Sequence, residues 1–182
     1  MLLRDVEPGD LDAYVRMRCD PAMMTELGGP LPREAMPDKV RRDVARVLAD
    51  HQWIKMIVPD ESRPAVVAGT VTLWAHAGGA DRGADGGAEA REGVAAHTAA
   101  RSEIGWMVLP EFQRQGLGKR AVRELLARAR ADGRWGTVSA FPARGNAASN
   151  AICRALGFHL VGEERSDFAG RVLLTNHWTI AT

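Results

Sequence analysis

The sequence predicts an α/β fold in which a mixed sheet is flanked by helices, in one domain spanning residues 1–182. Two observations support this fold class. Apolar runs of strand length alternate with stretches whose apolar residues recur at helical spacing. Taken in chain order, these segments give the pattern β-α-α-β-β-β-α-β-α-β-β.

The N-terminal part begins with a predicted strand at 2–6. Asp10 is expected to cap a first helix that reaches Cys19, because its carboxylate can accept N–H groups of the first helical turn. Asp20-Pro21 is expected to stop that helix. A connector rich in Gly and Pro follows, and a second, amphipathic helix is predicted from about Asp38.

A hairpin is predicted next, with strands at 53–58 and 66–74 joined by a polar turn. The composition then shifts to Ala, Gly and small charged residues. This stretch, 76–100, has no apolar periodicity and can bury little surface, so we expect a flexible insertion.

The most informative stretch is 113–118, a glycine turn between a predicted strand at 102–109 and a predicted helix at 119–128. A helix N-terminus that follows a glycine turn presents free N–H groups and a partial positive charge, which together bind phosphate. A side chain at Gly116 or Gly118 would hold a pyrophosphate away from these amides. We call residues 113–118 the phosphate loop.

Two other phosphate-binding motifs do not fit these residues. A P-loop requires Ser or Thr after Gly-Lys, and here Arg120 follows Lys119. A dinucleotide fingerprint requires an acidic residue at the end of a second parallel strand. Asp132 instead follows the helix, in a turn before Gly133.

Two blocks of residues together resemble one known family. The first is Gln113-Arg114-Gln115-Gly116-Leu117-Gly118, and the second runs from Asn146-Ala147-Ala148-Ser149 to Leu156-Gly157-Phe158. In sequence, order and separation they resemble the two signature blocks of the GNAT N-acetyltransferases. The resemblance covers essentially the whole chain. It implies a GNAT-like, mostly antiparallel sheet that ends in a hairpin, here 159–167 and 171–180, and acetyl-CoA as co-substrate.

The same resemblance assigns residues to acetyl-CoA. The strand at 102–109 would splay from its neighbour and pair with the pantetheine arm near Met107 and Val108. Arg114 and Lys119 can touch phosphates or simply be solvated, and Gln113 can bond the loop backbone instead of the ligand. The residues expected to bind the co-substrate are Met107, Val108, Gln113, Arg114, Gln115, Gly116, Leu117, Gly118, Lys119, Asn146 and Ser149.

Two residues are candidates for acid–base chemistry. Glu103 lies on the predicted strand and is the candidate general base, since an amine acceptor arrives mostly protonated. The alternatives are that it pairs with an arginine or only attracts a cationic amine. Cys153 stands where many relatives carry a tyrosine, and its thiol is the candidate general acid. The alternative for Cys153 is a small buried apolar residue, the commoner state of a free cysteine. For Asn146 the alternative role is a plain helix N-cap.

The acceptor is not defined by the sequence. By resemblance it is a primary amine of a small molecule or of a peptide N-terminus. The alternatives are a non-catalytic acyl-CoA-binding or sensing module, and transfer to an aminoacyl-tRNA. Candidate residues for the acceptor cleft are Met23, Met24, Leu27, Trp53, Trp74, Asn176, His177 and Trp178, all with core packing as the alternative.

Composition limits the remaining classes. A formal net charge of +1 argues against a dedicated nucleic-acid surface, and two widely separated cysteines suit a reducing compartment. The five histidines show no metal-ligand spacing, so no metal is expected. With no apolar leader or membrane span in the sequence, the expectation is a cytoplasmic enzyme without membrane partners. A homodimer is an option that the sequence leaves open.

Overall fold

The computed structural model describes residues 1–75, 101–168 and 171–182. The predicted insertion at 76–100 and the turn at 169–170 lie outside the described residues. Seven strands form one sheet in the order β1-β2-β3-β4-β5-β7-β6. They are β1 (Leu2–Asp5), β2 (Gln52–Val58), β3 (Gly69–Ala75), β4 (Arg101–Val108), β5 (Thr137–Ala140), β6 (His159–Phe168) and β7 (Arg171–Ala181).

The sheet is mostly antiparallel, because β4 and β5 are its one parallel pair among the described strands. The described α-helices are α1 (Leu11–Arg18), α2 (Pro21–Met24), α3 (Met36–Leu48), α4 (Leu117–Asp132) and α5 (Ala147–Ala155). This order and pairing confirm the predicted fold class of a mixed sheet flanked by helices.

The helices cover the two faces of the sheet through separate apolar cores. On one face α4 and α5 pack against inward-pointing residues such as Leu73, Ile104 and Val138. On the other face α1 and α3 pack against Ile54 and Met107. Side chains alternate between the two faces along a strand, so residues flanking Ile104 on β4 lie on the α1–α3 face.

One predicted feature of the N-terminal part was wrong and one was confirmed. The carboxylate of Asp10 makes no cap to α1. It accepts from the Arg4 guanidinium at 2.6 and 2.8 Å and from the Glu7 N–H at 2.8 Å, because a charged partner across the turn competes with the helix amides. The expectation that the first helix stops at Asp20-Pro21 is confirmed, because α1 ends at Arg18 and Asp20 stands just before the next helix. Its carboxylate caps α2 by accepting from the N–H groups of Ala22 and Met23.

The hairpin of β2 and β3 is present with full antiparallel register from Gln52–Trp74 to Ile57–Gly69. Strand β3 begins three residues later than predicted, at Gly69. A Cβ at Gly69 would lie 2.1 Å from the Met107 carbonyl oxygen, so only glycine allows this close approach of β3 to β4. No helix in the described ranges has both the length and the apolar character needed to cross a membrane.

Candidate functional site: the open edge of β4 and the N-terminus of α4

Strands β4 and β5 separate soon after they meet. Their parallel register runs from Arg101–Thr137 to Glu103–Ser139, and β5 ends at Ala140 while β4 continues to Val108. Along 104–108, β4 is paired to β3 on one side and has no strand partner on the other among the described residues. The result is a strand edge with main-chain donors and acceptors available to a ligand.

Val108 marks the end of this edge. Leu109 donates its N–H to the Ala68 carbonyl at 2.8 Å, toward the β3 side. Because main-chain groups alternate between the two edges of a strand, those of Val108 point to the open edge. The Val108 carbonyl there accepts from Gln113 Nε2 at 3.0 Å. Gln113 therefore bonds the main chain, the second of the two roles considered for it, and ties the phosphate loop to β4.

The phosphate loop leads into α4, whose N-terminus is uncapped. Gly116 is the N-cap residue in a left-handed conformation, with φ of 74°, and no described side chain bonds the amides of the first turn. The first turn also contains no acidic residue. Arg114, in the same left-handed region at φ of 61°, and Lys119 are both exposed beside it. Free amides, the helix dipole and two cations together make this helix start a candidate anion site.

The two loop glycines serve different purposes. A Cβ at Gly116 would meet nothing within 4 Å, so this face of the loop is open. A Cβ at Gly118 would lie 3.3 Å from Val108 and 3.4 Å from Ile152. The expectation that Gly118 keeps a side chain away from phosphate stays a prediction, and the structure adds a packing role. Gly118 is buried, and it lets α4 pack closely against β4 and α5.

The remaining loop and strand side chains are buried or hold the loop, and the Met107 carbonyl faces Gly69 on β3 and not the open edge. The side chains of Met107 and Leu117 are buried in the two apolar cores, at 9% and 5% exposure. Gln115 donates from Nε2 to the Glu111 carbonyl at 3.1 Å. These contacts leave the main chain of the loop as its candidate ligand-binding part.

Helix α5 begins at the second predicted block. Asn146 is its N-cap, and the Asn146 Oδ1 accepts from the Ser149 N–H at 3.0 Å. The capping alternative for Asn146 is therefore present in the structure. Ser149 is partly exposed on the first turn of α5.

Sequence reasoning missed the neighbouring Asn150, which is 3% exposed. It donates to the carbonyls of Ala143 and Asn146 at 3.0 and 2.8 Å, and its Oδ1 accepts from Asn176 and from Trp178 Nε1 at 2.7 and 2.9 Å. All its hydrogen-bonding groups are satisfied, so it joins α5 to β7. A polar residue on an amphipathic helix gave no sequence signal that it would face inward.

Glu103 lies at the mouth of the opening between β4 and β5. It is partly exposed, and its register partners are Trp74 on β3 and Ser139 on β5. The Trp74 ring covers Gly105 on the same face, since a Cβ at Gly105 would lie 3.7 Å from that ring. Glu103 thus stands where the open edge begins, on the α1–α3 face of the sheet.

Cys153 is shielded from solvent. It is 0% exposed within the core beneath α4 and α5, and burial raises the pKa of its thiol to about 12. This placement favours the alternative of a packed apolar residue over a general acid. The single tyrosine does not substitute for it, because Tyr14 is buried on the other face and its hydroxyl donates to Asp43 at 2.8 Å.

Of the candidate residues for the acceptor cleft, two lie on the Glu103 face of the sheet and the others pack in the cores or bond to neighbouring residues. Met24 and Trp178 are buried core residues, and Trp53 packs edge-on against Trp135 with 4.8 Å between ring centroids. Trp74 and His177 instead lie on the Glu103 face. Met23 and Leu27 pack against the α1–α3 core, and Asn176 donates to Asn150.

His177 makes contacts that its chain position does not reveal. Its Nε2 lies 3.1 Å from Ser139 Oγ, its Nδ1 lies 2.8 Å from Glu164 Oε1, and its ring stacks on Phe141. These partners come from separate parts of the chain, so no spacing in the sequence connects them. In the described ranges, no group of three His, Cys, Asp or Glu side chains has the arrangement to hold a metal ion.

A family model described as an acetyltransferase (GNAT) domain matches residues 1–159. None of the curated proteins compared with the chain matches it significantly. Solved structures share its fold. RimL, a ribosomal alpha-N-protein acetyltransferase solved with coenzyme A, superposes with a TM-score of 0.72 at 16% identity, covering 98% of this chain and 92% of its own.

Two further structures illustrate the range of acceptors within this fold. A ribosomal-protein-alanine N-acetyltransferase from Brucella melitensis gives a TM-score of 0.71 at 19% identity, with 100% of each chain covered. An aminoglycoside acetyltransferase in complex with coenzyme A gives 0.69 at 12% identity, covering 98% of this chain and 93% of that one. At these identities the likeness shows the fold alone. With its family model matched over residues 1–159 and its sheet open between β4 and β5, the chain belongs to the GNAT acetyltransferase family.

Proposed function

We propose that this protein is an acetyl-CoA-dependent N-acetyltransferase that transfers an acetyl group to a primary amine of a small molecule or a peptide N-terminus. One observation carries the proposal: the unpaired edge of β4 runs from Glu103 to the uncapped N-terminus of α4. A carboxylate, a row of main-chain donors and an anion site are thereby aligned along one opening.

The residues present fit acetyl-CoA. The main-chain amides of 104–108 that face the opening can pair with an extended, amide-containing arm, as an added strand would. The first-turn amides of α4, with Lys119 and Arg114 beside them, can hold the phosphates. When bound, the co-substrate supplies a thioester carbonyl that an amine can attack.

Glu103 is then the candidate general base. An amine with a pKa well above 7 arrives protonated and must lose a proton before its nitrogen can attack. A carboxylate at the mouth of the opening attracts the cation and can take that proton, directly or through one water. Main-chain N–H groups of β4 that point into the opening would polarise the thioester carbonyl, a contribution of typically a few kcal/mol to the barrier.

The acceptor class is broad in this proposal. The names of the structurally similar enzymes refer to ribosomal proteins in two cases and to aminoglycosides in another. These acceptors share a primary amine that is cationic at neutral pH. For this chain we propose only a cationic primary amine as acceptor, because the Glu103 carboxylate at the mouth of the opening would attract it.

The test is acetyl transfer measured by thiol release across polyamines, amino acids, aminoglycosides and short peptides with free N-termini. Glu103→Gln should lower kcat by about 100- to 10,000-fold, the range of a lost general base, with acetyl-CoA affinity unchanged. Glu124→Gln is the matched control, because Glu124 is an ion-paired glutamate on the outer part of α4. It should leave both quantities near wild type.

The alternative function is a non-catalytic acyl-CoA-binding or sensing module. It shares the binding site but not the chemistry. Tight acetyl-CoA binding without thiol release for any amine in the panel would favour that module and contradict the enzymatic proposal. Equal activity of the Glu103→Gln variant would retain the enzyme and reject Glu103 as its base.

A further inference from the structure

Four polar side chains form a row across the sheet that neither the family motifs nor the proposed function uses in full. Glu103, Ser139, His177 and Glu164 come from β4, β5, β7 and β6, which are adjacent in the sheet in that order. Glu103 and Ser139 are register partners. The row continues with 3.1 Å from Ser139 Oγ to His177 Nε2 and 2.8 Å from His177 Nδ1 to Glu164 Oε1.

The row lies on one face because of strand alternation. Val138, Ala140 and Trp178 point into the core beneath α4 and α5, so Ser139 and His177 between them point to the opposite face. This is the face on which Glu103 stands. A carboxylate, a hydroxyl, an imidazole and a second carboxylate therefore follow one another without a change of face.

The imidazole lies between its two neighbours, within 3.1 Å of one and 2.8 Å of the other. The ring stacks on Phe141 with 4.5 Å between centroids and 25° between planes, which restrains its rotation. Its Nε2 is hydrogen-bonded to Ser139 on β5, and its Nδ1 lies 2.8 Å from Glu164 Oε1 on β6, at ion-pair distance and outside hydrogen-bond geometry. An imidazole can accept a proton at one nitrogen and release one from the other. Glu164 ends the row with a side chain that is 33% exposed, in contact with water.

We propose that this row, the proton row, carries the proton taken from the acceptor amine away from the opening to water at Glu164. The inference rests on the proposed function and deepens it. The ammonium N–H bond breaks and its proton binds Glu103. That proton passes to Ser139 Oγ, directly or through one water, as the Ser139 hydroxyl proton moves to His177 Nε2. The His177 Nδ1 proton moves to Glu164 and leaves to water.

The proton balance is complete. An ammonium acceptor loses two protons during amide formation. The first leaves through the proton row before attack, and the second goes to the departing thiolate as the carbon–sulfur bond breaks. One proton is therefore released per amide formed, and no redox partner is required. Ser139 and His177 act through Glu103 in this scheme, so they are positioning and relay residues and not groups that touch the acceptor.

The first test replaces the hydroxyl of Ser139 in the full-length protein, using the best amine from the acceptor panel. Ser139→Ala should lower kcat by about 10- to 100-fold, while Ser139→Thr, which keeps a hydroxyl, should stay within about 3-fold of wild type. Acetyl-CoA affinity should not change in either. Full activity of Ser139→Ala would overturn the proton row. Acetylation of the Ser139 hydroxyl in the wild-type protein by acetyl-CoA alone would overturn it too, because Ser139 would then be a nucleophile.

The second test uses chemical rescue at His177. His177→Ala should lose activity to a similar extent, and added imidazole should restore a large part of it. A purely structural role would not respond to imidazole, so a loss without rescue in a folded variant would overturn the relay. His159→Ala is the matched control, because His159 is an exposed histidine on β6 that belongs to no contact of the row. It should retain wild-type kcat.

Different results would overturn the proposed function and the proton row. Absence of transfer by the wild-type protein would overturn the proposed function and the proton row together. Transfer that depends on Glu103 but is indifferent to Ser139 and His177 would overturn the proton row alone.

Discussion

Cys153 shows how burial decides between two roles that one side chain can fill. Its thiol lies wholly within the core, and desolvation raises its pKa to about 12. A thiol in that environment stays protonated near neutral pH and has no contact with solvent. We expect Cys153→Ala to keep acetyl transfer within about 3-fold of wild type and to lower the free energy of unfolding by about 1 kcal/mol.

Thiol alkylation of the native protein followed by mass spectrometry checks the same point. Cys19 is partly exposed and should react first, although burial also raises its pKa. Cys153 should react only when the protein unfolds. If Cys153→Ala instead slowed acetyl transfer by about 100-fold or more, with acetyl-CoA binding intact, Cys153 would be identified as the general acid.

Asn150 carries the second prediction at this scale. Asn150→Ala would leave the Trp178 indole N–H and the Asn176 amide without this acceptor, while the carbonyls of Ala143 and Asn146 would keep their main-chain donors. Unpaired buried polar groups cost about 1–3 kcal/mol each, so we expect about 3 kcal/mol of lost stability in urea unfolding. Asn146→Ala, which removes only a helix cap, should cost about 1 kcal/mol. Equal effects of the two substitutions would contradict this assignment.

Residue-level prediction succeeded for side chains whose partners are near in sequence and failed where partners are distant. Asn146 caps the helix with a bond to the amide three residues ahead of it, as its type indicates. Asp10 has the right type for a cap, but Arg4 and the turn around Glu7 take its carboxylate. At Gly118 a side chain would crowd Val108 and Ile152, and these two residues become its neighbours only in the folded chain.

At the scale of elements, helix α4 provides an internal comparison, because both its ends are left-handed glycines. Gly116 begins it with φ of 74° and Gly133 ends it with φ of 80°, and a Cβ added at either would meet no atom within 4 Å. Valine at either position should cost about 1–3 kcal/mol from backbone strain alone. Only Gly116→Val should also weaken acetyl-CoA binding, by at least about 10-fold, since the anion site lies at that end.

Calorimetric titration with acetyl-CoA and urea unfolding of both variants separate the two effects. Equal loss of binding in Gly116→Val and Gly133→Val would show that strain, and not the phosphate loop, is responsible. That outcome would remove the support for the anion site.

The elements themselves followed from periodicity and turn residues to within a few positions, with exceptions that have a physical cause. Helix α2 was not expected, because a four-residue helix is too short for apolar periodicity to register. The opening between β4 and β5 came from the family resemblance and not from periodicity. It depends on where β5 ends relative to β4, and parallel register between strands that are distant in sequence is invisible in either strand alone.

At the scale of the whole molecule, an exposed ion pair connects the C-terminal ends of two helices that lie on opposite faces of the sheet. Asp50 follows α3 on one face, and Arg134 follows α4 on the other. Arg134 bonds both carboxylate oxygens of Asp50 at 2.5 and 2.6 Å and stacks on the rings of Trp53 and Trp135. The hydrogen bond from Arg134 lowers the pKa of Asp50 to about 2.

The sign of the resulting pH dependence follows from that lowered pKa. In the unfolded chain Asp50 has a pKa near 4, so its folded-state advantage is fully present above about pH 5 and is lost as pH falls toward 2. The difference in unfolding free energy between wild type and Asp50→Asn should therefore be constant from about pH 7 to 5 and shrink between about pH 4 and 2. Added salt should reduce this difference in unfolding free energy, because the Asp50–Arg134 pair is exposed. In an Arg134→Gln background the same substitution should show little of this pH dependence. A difference that persists unchanged down to about pH 2 would mean that the contact stabilises the fold through packing on the tryptophans and not through the charge on Asp50.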